Sequence, residues 1–313
     1  MTFAGAMAVA MMVDAIFGWP RPLFDRIGHP VTWLGALIAR LDATLNRDAD
    51  SADRRRLSGI FASMLVILLA VAIGATVQLL LPSGWSGTLL IGLLAWPYLA
   101  LKSMYDHVAD VAEPLVNGDL AGAREAVAMI VGRDPSALDD AGVARAAIES
   151  LAENTSDGIV APLFWGVLLG LPGIAGYKAV NTLDSMIGHR TPRHEAFGWA
   201  AARIDDVANL VPARMTGVLF ALVSSRPAAA LQCMMRDARH HRSPNAGWPE
   251  AAMAGALSVR LSGPRVYGES IAEEPWLNAG APDPAAADVA HALNVYVRAM
   301  FFLCACLAAV VLL

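Results

Sequence analysis

The chain has 313 residues, of which 56% are hydrophobic and only 16% are charged. In soluble domains, hydrophobic residues average about 45–50% and charged residues about 25%, so this composition excludes an ordinary soluble protein. The net charge of −5 offers no basic surface for nucleic acid. The three cysteines form neither a paired disulfide framework nor a zinc motif. We therefore expect an all-α, polytopic integral membrane protein with helical cytoplasmic insertions.

Four apolar segments have the length of membrane-spanning helices, which need about 20 residues. They lie near 1–17, 58–81, 85–101 and 294–313. The first segment lacks the basic start and the cleavage site of a signal peptide, so we interpret it as an uncleaved span.

Two further apolar segments are interrupted. The segment 158–176 contains two prolines and five glycines, and 210–223 contains Pro212 and Arg214. The loops all carry arginines, which the positive-inside rule places in the cytoplasm: 19–57, 102–157, 177–207 and 226–293. They can share that side only if both interrupted segments are broken or re-entrant. The alternative is two ordinary crossings with one basic loop outside, so the expected number of crossings lies between four and six.

The first polar motif, ARAAIESLAENTSDG, lies just before the segment 158–176. Its charged residues recur at every fourth position and share one helical face: Arg145, Glu149, Glu153 and Asp157. Gly158 is expected to end this helix as its C-terminal cap. A solvated helix with a weak Arg145–Glu149 ion pair would give the same pattern, but Asn154 and two hydroxyl residues crowd the helix end beside the membrane and favour a functional face.

The second motif, YKAVNTLDSMIGHR, contains Lys178, Asn181, Asp184 and Arg190. Asn181 and Asp184 share a helical face and can supply oxygen ligands to Mg²⁺, which binds through few protein ligands together with phosphates. A helix cap or a pair of charges at the membrane surface is the alternative interpretation.

The third motif, AARIDDVANLVPARMTG, places Asp205 and Asp206 beside the segment that contains Arg214. Ionisable residues at membrane depth are costly and usually functional. Because adjacent residues of a helix point in different directions, only one of these aspartates need bind metal, and its neighbour could pair with Arg203 or Arg214.

The fourth motif, RDARHHRSPNAGWPEAAMAGALSVRLSGPRVYG, places Arg236 and Arg242 next to a turn with Ser243 and Asn245. Guanidinium groups and turn amides are suited to phosphate. The positive-inside rule explains the arginines equally well, but it does not explain Ser243 or Asn245. The sequence contains no P-loop or Rossmann motif for a nucleotide.

These motifs, in this order, carry a family resemblance. IESLAENTSDGIVAPLFW, YKAVNTLDSMIGHR, AARIDDVANLVPARMTG and RDARHHRSPNAGWPEAAMAGAL resemble hallmark stretches of adenosylcobinamide-phosphate synthases, the CobD/CbiB family, and DAIFGWP…HPVTWLGALIARLD is similar to its opening. The resemblance implies a multi-pass membrane enzyme that joins adenosylcobyric acid to (R)-1-aminopropan-2-yl phosphate or a related amino alcohol. It also implies ATP as a co-substrate and Mg²⁺.

The resemblance transfers no residue roles, so we assign them from side-chain chemistry. An amide forms only from an activated carboxylate, and an acyl phosphate made with ATP would supply the activation. Such a transfer depends on positioning and charge neutralisation. The catalytic candidates are Glu149, Glu153 and Lys178. The substrate- and phosphate-binding candidates are Asn154, Asn181, Arg190, Arg214, Arg236, Arg242, Ser243 and Asn245. The metal candidates are Asp157, Asp184, Asp205 and Asp206.

We expect one integral domain over 1–313 in the inner membrane, with its active site facing the cytoplasm. The expected partners are the corrinoid, the amino-alcohol phosphate, ATP and the bilayer, with no nucleic acid. A homo-oligomer and association with other late cobalamin-pathway enzymes are left open. Two rival classes also fit: an Mg-dependent intramembrane prenyl- or phospho-transferase, for which Asn181 and Asp184 form a partial motif, and a non-catalytic scaffold or transporter, which would carry its charges inside clean spans.

Overall fold

The computed structural model describes residues 3–132, 134–267, 270–272 and 274–312, and helices dominate this part of the chain. Its fifteen α-helices are α1 Phe3–Phe17, α2 Arg21–Ile27, α3 Pro30–Leu45, α4 Ala52–Leu80, α5 Trp85–Ala95, α6 Leu101–Val116, α7 Leu120–Ala128, α8 Asp140–Thr155, α9 Ala161–Leu169, α10 Leu171–Leu183, α11 Trp199–Ala208, α12 Leu210–Val223, α13 Pro227–Asp237, α14 Gly247–Leu257 and α15 Ala286–Leu312. Two π turns, Ser156–Val160 and Asp184–Gly188, follow α8 and α10. The helices fall into two compact units, and the expectation of a single domain stays a prediction.

The first unit is built from 1–100, 161–209 and 306–313. Its core contains Ile38 of α3, Val66 of α4, Leu183 of α10 and Phe197, all nearly fully buried. The predicted loop 19–57 is largely helical, since it contains α2, α3 and the start of α4.

The second unit is built from 101–160 and 210–305. Besides its helices it holds two short antiparallel strand pairs. Strand β1, Leu261–Ser262, pairs with β4, Trp276–Leu277, while β2, Arg265–Tyr267, pairs with β3, Ser270–Ala272. The predicted loop 226–293 is therefore a structured region of helices and hairpins.

The interruption expected in 158–176 occurs at Gly170. This glycine has a φ of 73°, which other residues rarely adopt, and it separates α9 from α10. The first turn of α10 leaves backbone N–H groups without helical partners. Gln78 of α4 accepts one of them, from Leu171, at 2.8 Å.

The segment 210–223, in contrast, is an uninterrupted helix, α12. Pro212 lies in its first turn, where a proline removes no helical hydrogen bond. The break lies just before it, at Asn209, where α11 and α12 are bent by 46°. The expected broken segment near 210–223 is therefore present, but Pro212 and Arg214 do not interrupt the helix.

Three described helical stretches are long and apolar enough to span a membrane: Ala52–Leu80, Trp85–Val116 and Ala286–Val311. Two bent pairs would raise the number to five: Phe3–Phe17 with Arg21–Leu45, bent by 108°, and Trp199–Ala208 with Leu210–Val223. The predicted first span is thus half of a bent pair, because α1 has only 15 residues before the chain turns.

The surface of α4 fits a lipid environment. Leu68 and Ile73 are each 57% exposed in the middle of this helix, whereas a soluble protein would cover so many large apolar side chains. The protein is therefore a polytopic all-α membrane protein. Met1, Thr2 and Leu313, at the ends of the first and last predicted spans, lie outside the described residues.

Candidate functional site

The acidic helix α8 begins where Asp139 accepts the backbone N–H of Gly142 at 2.8 Å. It does not end at Gly158 as expected, but continues through the π turn Ser156–Val160. Gly158 does not take the positive φ of a C-cap glycine. A π turn inserts an extra residue per turn, so Asp157 leaves the face that it would share with Glu149 on a regular helix.

The carboxylates of this motif lie in three different environments. Glu149 is only 6% exposed, and its Oε1 accepts the backbone N–H of Ser262 at 2.6 Å. Glu153 is exposed and Asp157 is half-buried. A single acidic surface, as the spacing predicted, is therefore not present.

Arg145 pairs with Asp283, whereas the alternative interpretation as a solvated helix would pair it with Glu149. Its Nη2 contacts the carboxylate of Asp283, and its guanidinium lies 4.7 Å from the ring centroid of Trp276. Asp283 also accepts from Arg260 at 2.6 Å, and that hydrogen bond lowers the pKa of the Asp283 carboxyl. Arg145 therefore takes part in a local network of the second unit.

A chain of polar contacts links Glu149 to Arg242. Ser262, whose φ is 60°, donates from Oγ to Glu274 at 3.4 Å, and its N–H donates to Glu149. Glu274 in turn faces Nη1 of Arg242 at 3.3 Å. Two predicted residues, the acidic Glu149 and the basic Arg242, thus belong to one connected group.

Arg236 is held by its own neighbour. Its Nε and Nη2 each donate to the Asp237 carboxylate at 2.7 Å, a bidentate pair. The same carboxylate accepts the N–H of Asn278 at 2.7 Å. The hydrogen bonds from Arg236 contribute most to lowering the pKa of the Asp237 carboxyl, and the hydrogen bond from Asn278 lowers it further. Burial raises the pKa of the nearby Cys233 thiol to about 12. Arg236 thus binds a carboxylate of the folded chain, although its side chain remains 61% exposed.

The Ser243–Asn245 turn starts helix α14. The Oγ of Ser243 accepts the N–H groups of Asn245 and Ala246 at 3.2 Å. Nδ1 of His241 accepts the N–H of Ser243 at 3.1 Å, so the ring proton lies on Nε2, which faces Glu250 at 3.6 Å. Ser243 therefore stabilises the turn that leads into α14, whose N-cap residue is Ala246.

Sequence reasoning did not select His241 or Glu250 as site residues. Their side chains are 4% and 2% exposed, so they form a buried pair beneath the turn. The sequence did contain a signal for this pair, because Glu250 is an acidic residue within the otherwise apolar stretch that forms α14, and a buried charged residue needs a partner.

Arg214 of α12 also has partners within the second unit. Its Nη1 donates to the carbonyl of Leu210 at 2.6 Å, and its guanidinium lies 4.2 Å from the ring of Trp248. This stacking keeps the cation beside an aromatic face.

In the first unit, Asp184 opens the π turn that follows α10. Its Oδ1 lies so close to Gly188 that a Cβ there would be only 1.9 Å away. Burial raises the pKa of the Asp184 carboxyl, nearby His189 lowers it, and Asp206 raises it further. Arg190, two residues after the turn, is exposed. Lys178 and Asn181, on the preceding turns of α10, are half-buried.

The two adjacent aspartates of α11 have different partners, as predicted. Asp206 accepts from Arg203 at 3.1 Å. Asp205 is buried and accepts from Asn209 at 3.0 Å, and Asn209 accepts from the Tyr177 hydroxyl at 2.8 Å. The predicted site residues did not include Tyr177 or Asn209, although these two residues lie within the second and third motifs.

Among the described residues, no group of three or more His, Cys, Asp or Glu side chains is placed to hold a metal ion. Mg²⁺ bound to phosphates needs only one or two carboxylates. Asp206 raises the pKa of the Asp184 carboxyl, and Mg²⁺ binding by these two residues stays a prediction. The metal candidates belong to different units, since Asp157 lies in the second and Asp184, Asp205 and Asp206 lie in the first.

The chain is a polytopic membrane protein, because several of its apolar helices are long enough to cross a membrane. It also contains networks of hydrogen-bonded carboxylate, amide and arginine side chains. The family model described as CobD/Cbib protein matches residues 7–296, and the chain belongs to this family. A "Cobalamin biosynthesis protein CobD" of Rhodobacter capsulatus is 65% identical over 300 residues, which covers 96% of this chain and 95% of that protein.

Other relatives of the same name are more distant. The protein of Sinorhizobium fredii is 45% identical over 98% of this chain and 96% of its own length, and that of Brucella suis is 46% identical over 93% and 91%. No solved structure matches the chain. Membership of the family gives the protein a role in cobalamin biosynthesis.

Proposed function

We propose that the protein is an adenosylcobinamide-phosphate synthase, which uses ATP to join adenosylcobyric acid to (R)-1-aminopropan-2-yl phosphate or a related amino alcohol. The observation that carries this proposal is the family match over residues 7–296, because it includes all four polar motifs. Relatives that cover nearly the whole chain carry the name of a cobalamin biosynthesis protein, which supports the assignment to this pathway.

The proposed reaction has two steps. The corrinoid carboxylate attacks the γ-phosphoryl group of ATP, forming an acyl phosphate and releasing ADP. The amine then attacks the acyl carbon, the C–O bond to phosphate breaks, and inorganic phosphate leaves while the nitrogen gives up a proton. The protein must therefore accept one proton and hold negatively charged phosphoryl groups.

Within the second unit, Glu153 is the better candidate for the proton acceptor. It is exposed, whereas Glu149, one helical turn earlier, is buried and accepts the Ser262 N–H. A general base must reach the proton that it removes. We therefore propose that Glu153 meets the amine and that Glu149 positions the Ser262 turn.

Within the first unit, Arg190 is the better candidate for a phosphate contact because it is exposed beside the Asp184 turn. Lys178 and Asn181 are further candidates. If Mg²⁺ binds to this unit, Asp184 and Asp206 would hold it. The ion would neutralise phosphate charge.

The direct test is to purify the protein in detergent and supply adenosylcobyric acid, aminopropanol phosphate, ATP and Mg²⁺. We expect adenosylcobinamide phosphate, measured by mass spectrometry, with one ADP released for each amide formed. A product that forms equally well without ATP, or no product with active substrates, would reject the ligase assignment. Transfer of a prenyl group from a prenyl diphosphate would support the rival transferase class.

We further propose that the polar regions face the cytoplasm of the inner membrane, because arginines occur in each of them. The test uses a variant without the three native cysteines, with a new cysteine at either Thr191 or Ser83. A membrane-impermeant thiol reagent added to intact cells should label Ser83→Cys, between the second and third predicted spans, and leave Thr191→Cys unlabelled. Labelling of Thr191→Cys from outside would reject this orientation.

A further inference from the structure

The first unit contains a cavity of about 610 Å³ whose lining is almost wholly apolar. It lies among α4, α9, α10 and α11. Representative lining residues are Ile60, Val71, Trp165, Gly176, Trp199 and Val207. None of the predicted catalytic, phosphate-binding or metal residues lines it, although its wall includes Tyr177 and Arg203, which contact Asn209 and Asp206.

Glycines of α10 form part of the wall and let neighbouring helices pack closely against it. Gly173 and Gly176 line the cavity, and a Cβ at Gly176 would come within 2.7 Å of the Val71 side chain. Along α4, the lining extends from Ile60 to Val71. These eleven steps correspond to about 16 Å at 1.5 Å per residue, which is close to half of the roughly 30 Å hydrocarbon core of a bilayer. The cavity therefore has the length of one leaflet.

One end of the cavity is cationic. The guanidinium of Arg56, one helical turn before Ile60, lies 3.7 Å from the ring centroid of Trp199. Arg203 also lines the cavity, but it pairs with Asp206 and adds little net charge. Arg56 therefore supplies the net positive charge beside an aromatic ring, as is typical of the membrane interface.

The apolar lining and the length of the groove indicate its occupant. A single hydrocarbon chain matches both the apolar lining and the length.

We propose that this groove binds one acyl chain of an anionic phospholipid, with the lipid headgroup at Arg56. Apolar burial along the groove provides the affinity for the chain. The guanidinium of Arg56 provides the preference for a negatively charged headgroup.

The test uses the full-length protein in detergent and phospholipids with brominated acyl chains, which quench nearby tryptophans. Trp165 and Trp199 line the groove and act as reporters. Brominated phosphatidylglycerol should quench the tryptophan fluorescence saturably. Phosphatidylcholine with the same chains should bind about fivefold more weakly, because one cationic side chain near the membrane surface contributes about 1 kcal/mol to the binding of an anionic lipid.

Four variants separate the groove from the general lipid surface. Val71→Phe should fill the groove and remove saturable quenching, whereas Ile73→Phe, on an exposed face of α4 outside the lining, should keep it. Arg56→Gln should reduce the affinity for phosphatidylglycerol to that for phosphatidylcholine. Arg54→Gln, at the same end of α4 and 71% exposed, should leave it unchanged.

Because Val71→Phe could disturb packing, Val207→Phe provides a second way to narrow the groove. Val207 lines the groove but is 68% exposed, so a larger side chain there leaves the core intact. Loss of saturable quenching in Val207→Phe, with an unchanged melting temperature, supports the proposal. Saturable quenching that survives in both filled variants, or equal affinities of the wild type for the two lipids, overturns it.

Discussion

The two units both pair arginines with carboxylates, but they differ in which predicted residues stay exposed. In the second unit, Arg236 pairs with Asp237, Arg242 with Glu274, and both Arg145 and Arg260 with Asp283. In the first unit, Arg193 and Arg203 pair with Asp42 and Asp206, whereas Arg190, a predicted phosphate-binding residue, is exposed next to the Asp184 turn.

We interpret this difference as two roles for charged residues: some stabilise the fold and others contact the substrate. Burial and pairing distinguish the residues that stabilise the fold. A carboxylate that receives a backbone N–H and lies away from solvent mainly fixes the chain, as Glu149 does for Ser262. Glu153 on the same motif is exposed, and we propose that it meets the amine.

The largest effect is expected from Glu153→Gln. If Glu153 accepts the amine proton, turnover should fall about a hundredfold or more, and the melting temperature should stay unchanged because the side chain is exposed. Turnover in the purified system and thermal unfolding in detergent provide the two measurements. Glu113→Gln, an exposed glutamate of α6, serves as the matched control.

Substitutions of the buried Glu149 should change stability rather than turnover. Glu149→Gln keeps an oxygen that can accept the Ser262 N–H, whereas Glu149→Ala leaves that N–H without this acceptor. The alanine variant should therefore lose stability, by about 1–3 kcal/mol. A hundredfold loss of turnover in Glu149→Gln at unchanged stability, with normal activity in Glu153→Gln, would reverse the assigned roles.

An intermediate effect is expected from Gly188→Ala in the first unit. The new methyl group would meet Asp184 Oδ1 at 1.9 Å, so the carboxylate has to turn away. If Asp184 contributes to substrate or metal binding, activity should fall about tenfold, the scale of one misplaced contact, while the helices remain folded. Gly280→Ala, where nothing lies within 4 Å of the added Cβ, should behave as wild type. Full activity in both variants would remove Asp184 from the site.

A smaller effect is expected from Asp206→Asn, on the pH dependence of the enzymatic activity. Burial and nearby Asp206 both raise the pKa of the Asp184 carboxyl above its ordinary value. If the ionised Asp184 is required, Asp206→Asn should lower this pKa and move the acidic limb of the activity profile towards lower pH. Exposed Glu195 provides the control, since Glu195→Gln should leave the limb in place. A limb that does not move in Asp206→Asn contradicts the coupling.

The smallest effect is expected from Arg236→Lys. A lysine cannot reproduce the bidentate contact with the buried Asp237, but it keeps a positive charge beside that carboxylate, so stability should fall by only about 0.5–1.5 kcal/mol, the scale of one hydrogen bond. The apparent affinities for ATP and aminopropanol phosphate should not change. A tenfold weaker affinity at unchanged stability would instead identify Arg236 as a phosphate ligand.

The same variant carries a pH signature. Because the pKa of Asp237 is lower in the folded chain, its contribution to stability is fully present above the ordinary carboxyl pKa of about 3.9. That contribution disappears as the pH falls through the folded-state pKa. The difference in melting temperature between wild type and Arg236→Lys should therefore shrink on acidification, and a constant difference would show that the lost contact is not electrostatic.

The sequence by itself determined the fold class and the family. A bilayer leaves no water to satisfy backbone groups, so apolar segments such as 58–81 have to form helices. Local periodicity also located α8 and the opposite orientations of Asp205 and Asp206, because helical geometry depends only on neighbours along the chain.

The tertiary structure decided which polar residues are buried and with what they pair. Gly158 does not cap α8, α12 is unbroken, and the partner of Arg145 is Asp283, which is 138 residues away. No local pattern contains such pairings, because they depend on which side chains the fold brings within a few ångströms of each other. Since the strength of an electrostatic contact depends on that distance and on burial, only the folded chain separates the arginines of the scaffold from residues available to a substrate.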